Sequence, residues 1–286
     1  MTELKDLCPI GIGTYRTDRA DRPAALAGLR YAVDRGQNML STGFSYGAGA
    51  VVELVGELLA QVPREALFLC VYVEPDIRRA ADVDRQLEGY LRAFGTDYVD
   101  CLQIHSPYET PVPLEAVYER IFARRDRGEV RYVGAGNLSP AAWGALAGQV
   151  ALFEGLYNFE CRQYEAAGVL ADCRRRGVRF VCYQPLRRNR TAGQNYPLLR
   201  ALAEKYGCSQ NQVILNWLVR WKGLQTIVKA LTPTNIDENL AALDLRLEAA
   251  DCRRMDAFRC PACEALPVDW DHSGTGVPIH LLANQF

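Results

Sequence analysis

Excess charge of either sign is what this chain lacks most plainly: 33 Lys and Arg stand against 34 Asp and Glu in 286 residues, a formal net charge of -1. The two signs are interspersed, so the basic patch that a nucleic acid or an anionic membrane normally meets is missing. Long apolar runs are absent too, and none approaches the roughly 20 residues that cross a bilayer. The opening segment, MTELKDLCPIGIG, has no basic stretch followed by an apolar core, which argues against a signal peptide. A third absence is more local. Gly11-Ile-Gly13 suggests a dinucleotide fingerprint, but that motif needs a third glycine opening a helix. Here Thr14-Tyr-Arg-Thr17 follows, and helical periodicity begins only near Pro23. These absences exclude a doubly wound dinucleotide fold. They leave the expectation of a cytoplasmic protein acting on a small molecule, with no nucleic acid and no membrane.

What is present is ordinary in amount and ordered in pattern. Hydrophobic residues make up 49% and charged residues 23%, enough for a sizeable core. Short β-branched or apolar runs recur at Pro9–Thr14, Asn38–Ser41, Leu67–Val73, Val99–Ile104, Val130–Gly134, Gly155–Phe159, Val178–Gln184 and Gln225–Lys229. Between them lie segments with apolar residues three and four apart, as in Ala24–Arg35 before Gly36 and in Val51–Ala60. Eight strands alternating with helices predict a parallel sheet, and eight is the number that closes a (β/α)8 barrel. The length sits slightly above the roughly 250 residues typical of that architecture as one domain. We therefore expect a single barrel over residues 1–286. Leu247–Phe258 reads as one more helix, and residues 259–286 as a tail over one barrel end.

Ten cysteines occur. Cys70, Cys101, Cys161 and Cys182 fall in or beside apolar runs, where a thiol packs as a small hydrophobe. Cys260-Pro-Ala-Cys263 is half of a zinc motif that Cys252 and His272 could complete, but neither stands at a regular ligand spacing. The expectation is reduced thiols and no metal.

Several segments, taken together, cover most of the chain. They are Gly11-Ile-Gly-Thr14; Tyr46-Gly47 followed by Glu53-Leu-Val-Gly-Glu57; Asp97-Tyr-Val-Asp-Cys-Leu-Gln-Ile-His105-Ser-Pro107; and Gly128-Glu-Val-Arg-Tyr-Val-Gly134 with Asn137. Tyr183-Gln-Pro-Leu186, Gln210-Asn-Gln-Val-Ile-Leu-Asn-Trp217, Ile227-Val-Lys-Ala230 and Glu238-Asn-Leu240 continue the series. In order and spacing this series resembles the aldo-keto reductase family.

That resemblance implies a barrel whose strand ends carry a tyrosine that protonates the carbonyl oxygen. It also implies a histidine that orients the carbonyl, and a lysine–aspartate pair that lowers the tyrosine pKa. The tyrosine corresponds to Tyr46 and the histidine to His105. The aspartate position is Ser41, and the lysine position is Tyr72; shifting the strand by one residue offers only Val71 or Val73. Loss of both partners avoids an isolated buried charge, which costs about 3–5 kcal/mol. It also deprives Tyr46 of the cation that favours its phenolate, leaving its pKa nearer the unperturbed value of about 10.

For the cofactor, NADP or NAD, the resemblance implies stacking on Tyr183 and carboxamide contacts from Asn137 and Asn158. Gly13, Thr14, Leu186, Arg187, Arg188, Lys229, Asn235, Glu238 and Asn239 stand at or near the remaining nucleotide positions. Asn235 and Ala230 occupy positions where the family usually grips a 2′-phosphate. Arg187, Arg188 and Arg190 crowd the loop where barrels commonly bind phosphate, so NADP is slightly favoured. Tyr15, Phe44, Ser106 and Tyr108 are the expected pocket walls. Three functions stay open: a nicotinamide-dependent oxidoreductase, a redox-neutral dehydratase, isomerase, epimerase or cyclase, or a non-catalytic nucleotide sensor.

Overall fold

The computed structural model covers residues 1–286. Eight parallel strands close into a barrel in sequence order. They are β1 (Ile10–Gly13), β2 (Met39–Thr42), β3 (Phe68–Val73), β4 (Val99–Ile104), β5 (Val130–Gly136), β6 (Leu152–Leu156), β7 (Arg179–Tyr183) and β8 (Gln225–Val228). β8 pairs with β1 to complete the ring. The burial explains the apolar runs: every residue of β3 and of β4 is buried, as expected where a parallel sheet is covered on both faces.

Helices α1 (Arg22–Asp34), α2 (Ala50–Leu59), α3 (Asp82–Phe94), α4 (Leu114–Asp126) and α5 (Pro140–Leu146) form the first part of the outer ring. Local chemistry sets their ends. The Asp21 carboxylate accepts from the Ala24 amide at the start of α1. Close approach of α1 to the barrel depends on Gly28, where an added Cβ would lie 2.1 Å from the Leu231 carbonyl oxygen. One continuous hydrophobic cluster runs from Leu7 to Ala283, so strands, helices and tail share a core. No helix is long and apolar enough to cross a membrane.

The two barrel ends differ. At the N-terminal end, Asp100 accepts from Arg64 and Arg131 at 2.6 Å each, and Glu3 reaches Arg131 and Tyr132 at 2.5 Å. At the other end, the segment after the helix Ala249–Ala257 forms a short parallel pair, β9 (Val268–Asp269) and β10 (Val277–Pro278), then a turn over Ile279–Asn284. Arg187, just beyond β7, donates to the Ala283 carbonyl at 3.1 Å and to that of Phe286.

The sixth strand departs from expectation. It spans Leu152–Leu156 rather than Gly155–Phe159. Asn158 is the cause: its side-chain oxygen accepts from the amides of Glu160 at 3.0 Å and Cys161 at 2.8 Å, turning the chain out of the sheet. The shift brings Glu154 inside the barrel.

Candidate active site

Register aligns Ser41 with Cys70 across β2 and β3, and Tyr72 with Gln103 across β3 and β4. The hydrogen bonds among these side chains show that they point into the barrel. The Tyr72 hydroxyl donates to Glu154 Oε1 at 2.9 Å and lies 2.7 Å from Ser41 Oγ. When Glu154 is ionised, Tyr72 spends its single hydroxyl proton on that carboxylate, so Ser41 is then the donor to Tyr72. Gln103 Nε2 donates to Glu154 Oε2 at 2.7 Å. Gly134 makes room for this amide, because an added Cβ would sit 2.8 Å from Gln103 Oε1. Ser41 is itself fixed by Thr14, whose hydroxyl donates to its carbonyl at 2.7 Å.

Tyr72 lies between the two residues expected to handle the carbonyl. Its ring centroid is 6.0 Å from that of Tyr46 and 4.9 Å from that of His105. His105 Nε2 stands 3.6 Å from Glu154 Oε1. Beyond it, Tyr183 donates from its hydroxyl to Asn137 Oδ1 at 2.8 Å, and Asn137 Nδ2 donates to the His105 carbonyl at 2.9 Å. The structure thus brings Ser41, Tyr46, Tyr72 and His105 together and adds Glu154 and Gln103.

The electrostatics follow from burial. Glu154 is 1% exposed, and desolvation pushes its carboxyl up to about 7, against the hydrogen bonds from Tyr72 and Gln103 that favour its charged form. Burial, then Glu154, raises Tyr46 far above the ordinary tyrosine value; the neighbouring Tyr72 hydroxyl opposes part of the rise. Desolvation, with a smaller contribution from nearby His280, depresses His105 to about 4, so its imidazole is neutral at pH 7. No lysine or arginine is hydrogen-bonded to this chain of hydroxyls and carboxyl.

Some expected cofactor contacts are corrected by their surroundings. Arg187 is 1% exposed and is held by Glu160 at 2.7 Å, the tail carbonyls and the Phe286 ring 3.8 Å away. It anchors the tail and has no face for a phosphate. Asn158 is fully buried, its oxygen spent on the turn and its Nδ2 donated to the Gln184 carbonyl at 3.2 Å. Beside Asn137, Gly136 lets β5 lie close against the end of β4: a Cβ there would lie 2.8 Å from the Ile104 carbonyl oxygen.

Others remain accessible. Lys229 and Asn235 are exposed after β8, Glu238 is half-buried, and Asn239 and Leu186 lie just beneath the surface. The guanidinium groups of Arg188 and Arg16 each lie 5.2 Å from the centre of the Tyr15 ring. Loss of solvent, and then the charges of Arg16, Arg190 and Arg19, lower the Arg188 pKa. These four arginines have no ion-pair partner, and the buried Arg16 Nε has no hydrogen-bond partner.

Of the expected pocket walls, Tyr15 meets Tyr46 edge to face at 5.2 Å, and Ser106 is half-buried beside His105. Tyr108 accepts from the Ser139 amide at 2.8 Å. Phe44 is half-buried, packing on Tyr90 at 4.2 Å and against Gly89 of α3. Two surface clefts of about 560 and 540 Å3 lie elsewhere, around Arg64–Tyr98 and around Arg162–Lys222. All ten cysteines are free; Cys263 turns toward Cys161, with the sulfurs 3.6 Å apart.

Residues 9–259 match the model of the aldo/keto reductase family. The chain belongs to that family. Among its relatives, methylglyoxal reductase YeaE of Escherichia coli K12 is 28% identical over 267 residues, covering 88% of this chain and 91% of the relative. Among solved structures, the thermostable aldo-keto reductase Tm1743, in complex with the inhibitor epalrestat, is 29% identical with a TM-score of 0.82. It covers 88% of this chain and 95% of that one. An aldo-keto reductase from Klebsiella pneumoniae in complex with NADPH is 26% identical with a TM-score of 0.79, covering 87% and 90%.

Sequence reasoning missed Glu154, Gln103 and the arginines of the first loop. The available signal for Glu154 was a lone carboxylate flanked by Leu152-Phe153 and Gly155-Leu156.

Proposed function

We propose that this aldo/keto reductase reduces a small-molecule carbonyl with NADPH or NADH, using Tyr46 as proton donor and a Glu154–Tyr72 chain in place of the lysine–aspartate pair. The observation that carries this reading is the Tyr72 hydroxyl, which links Glu154 and Ser41 while its ring lies against both Tyr46 and His105. The accessible positions after β8, the Tyr183 ring and the unpartnered Arg16 Nε beside Arg188 fit a phosphate-bearing nicotinamide nucleotide. Bound there, the nucleotide supplies a hydride to the carbonyl carbon.

The protein's part is orientation and protons. Neutral His105 directs the carbonyl oxygen, and Tyr46 donates its proton to that oxygen as the alkoxide forms. A phenol with a raised pKa is fully protonated at neutral pH and so keeps a proton to donate in reduction, but it is a weaker acid than one tuned toward neutrality, and alcohol oxidation, where phenolate is required, is disfavoured most. Glu154, close to half-protonated at pH 7, restores the Tyr46 proton through the Tyr72 hydroxyl. The balance is one carbonyl, one NAD(P)H and one proton giving one alcohol and one NAD(P)+. Reduction should therefore slow as pH rises through about 7, where Glu154 loses its proton.

The deciding experiment is Tyr46→Phe, assayed by NAD(P)H consumption with activated aldehydes. A loss of about 10²–10⁴-fold in kcat is expected, with nucleotide binding by fluorescence unchanged. Unchanged turnover would remove Tyr46 from the chemistry. A carboxyl poised near neutrality also suits proton transfer without net redox change. Product formation with no consumption of NAD(P)H would favour that second reading.

Nucleotide choice is a separate expectation. Lys229 is the cation expected to meet a 2′-phosphate, and one such contact contributes about 1–2 kcal/mol. NADP should be preferred over NAD by about five- to thirtyfold, measured as the ratio of dissociation constants. A preference above about a thousandfold would transfer that recognition to the Arg16–Arg188 group.

A further inference from the structure

We propose that Glu109, His272 and His280 form a site for a divalent transition-metal ion of the zinc or nickel type, which clips the tail to the loop after β4 beside the active-site mouth. One ligand atom from each of the three lies within 4.8 Å of those of the other two. His280 Nε2 and Glu109 Oε1 are 3.3 Å apart, and the two imidazole centroids are 5.2 Å apart. Metal–ligand bonds of about 2.0–2.2 Å place neighbouring donors of a tetrahedral ion roughly 3.3 Å apart, so closure needs only a small inward movement of His272. Two of the three histidines in the chain are used here.

The donors are held from two sides. Pairing of Val268 with Val277 and of Asp269 with Pro278 aligns the segments that lead to the two histidines. The Asp269 carboxylate accepts from the amides of Ser273 at 2.9 Å and Gly274 at 2.8 Å, fixing the turn that carries His272. His272 adopts a left-handed backbone with φ of +58°, uncommon for a residue with a side chain. Tyr108, next to Glu109, packs on the His272 ring at 5.6 Å. Two imidazoles and one carboxylate select a borderline cation over magnesium or calcium, which prefer all-oxygen sites. Three protein ligands leave a fourth position to water. An ion there ties residue 109 to residues 272 and 280, and so holds the turn over Ile279–Asn284 on the barrel.

The test does not use the reductase reaction, and its outcome is separate from that of the proposed function. Chelator-treated full-length protein is titrated calorimetrically with ZnCl2 and NiCl2, and cobalt is followed by absorption. The expected result is one ion per chain, a rise in Tm with zinc, and visible cobalt bands with no thiolate charge transfer. His272→Ala with His280→Ala, and separately His280→Asn, should weaken binding by at least about 100-fold and abolish the Tm rise. Their melting without metal serves as the folding control. No binding to the wild-type chain at 100-micromolar-order zinc, unchanged binding in the double variant, or a cobalt–thiolate band would each overturn the site.

Discussion

Tyr72→Lys alone should accelerate reduction of an activated aldehyde, by about 10²-fold or more. From the sequence, a lysine at this position has no carboxylate partner unless Ser41→Asp is made as well. The structure supplies that partner: Tyr72 donates to Glu154 Oε1 at 2.9 Å, and a lysine extended along the same path places its ammonium there. A buried ion pair forms instead of an isolated charge, which avoids the roughly 3–5 kcal/mol cost of an unpaired one. The ammonium also stands where Tyr72 now faces Tyr46, favouring the phenolate and bringing the Tyr46 pKa down toward neutrality. Ser41→Asp acts in the opposite sense. It adds a second carboxylate beside Glu154, raising both Glu154 and Tyr46, so it should slow reduction alone and add nothing to Tyr72→Lys. The measurement is kcat/KM for the four variants of this cycle, with pH profiles of reduction and of alcohol oxidation. The oxidation direction should gain most, because it needs the phenolate. A double variant far faster than Tyr72→Lys would show that Glu154 does not serve as the lysine's partner.

The residues behind that expectation show what a sequence reveals and what it hides. The strand–helix rhythm was legible because parallel strands buried on both faces must be apolar throughout, and β3 and β4 are. Tyr46 and His105 were legible through motifs of fixed spacing around them. Glu154 was not, because a carboxylate inside an apolar run reads as the end of a strand, and the Asn158 turn that sets the true register is a side-chain effect. Arg187 misled for a related reason. Three neighbouring arginines look like a phosphate loop, but the partners of Arg187 are Glu160 and the tail, 27 and 96 or more residues away. Their pairing is decided by the fold. The same distance hides Arg16 from Arg188: the loops after β1 and β7 meet only once the barrel closes.

Glu154→Gln should raise stability at alkaline pH while lowering reductase turnover. The carboxyl ionises at about 7 in the folded protein and near 4.5 when unfolded. Below pH 4.5 it is neutral in both states and contributes no penalty. Between 4.5 and 7 the folded state binds the extra proton, so stability falls as pH rises, and above 7 the whole cost of burying the charge is present. A shift of this size corresponds to roughly 3 kcal/mol. Glutamine is neutral throughout and can keep the contacts: Gln103 Oε1, now buried without a partner, can accept from the new amide after a flip. Denaturation should therefore show the variant more stable by about 1–3 kcal/mol at pH 8.5 and nearly level with wild type at pH 4.5. Turnover should fall, and the decline of rate through pH 7 should vanish, because glutamine cannot return a proton to Tyr46 through Tyr72. Equal destabilisation at both pH values would mean that Glu154 is an ionised, well-paired structural group. Retention of the pH limb would mean that the proton comes from elsewhere.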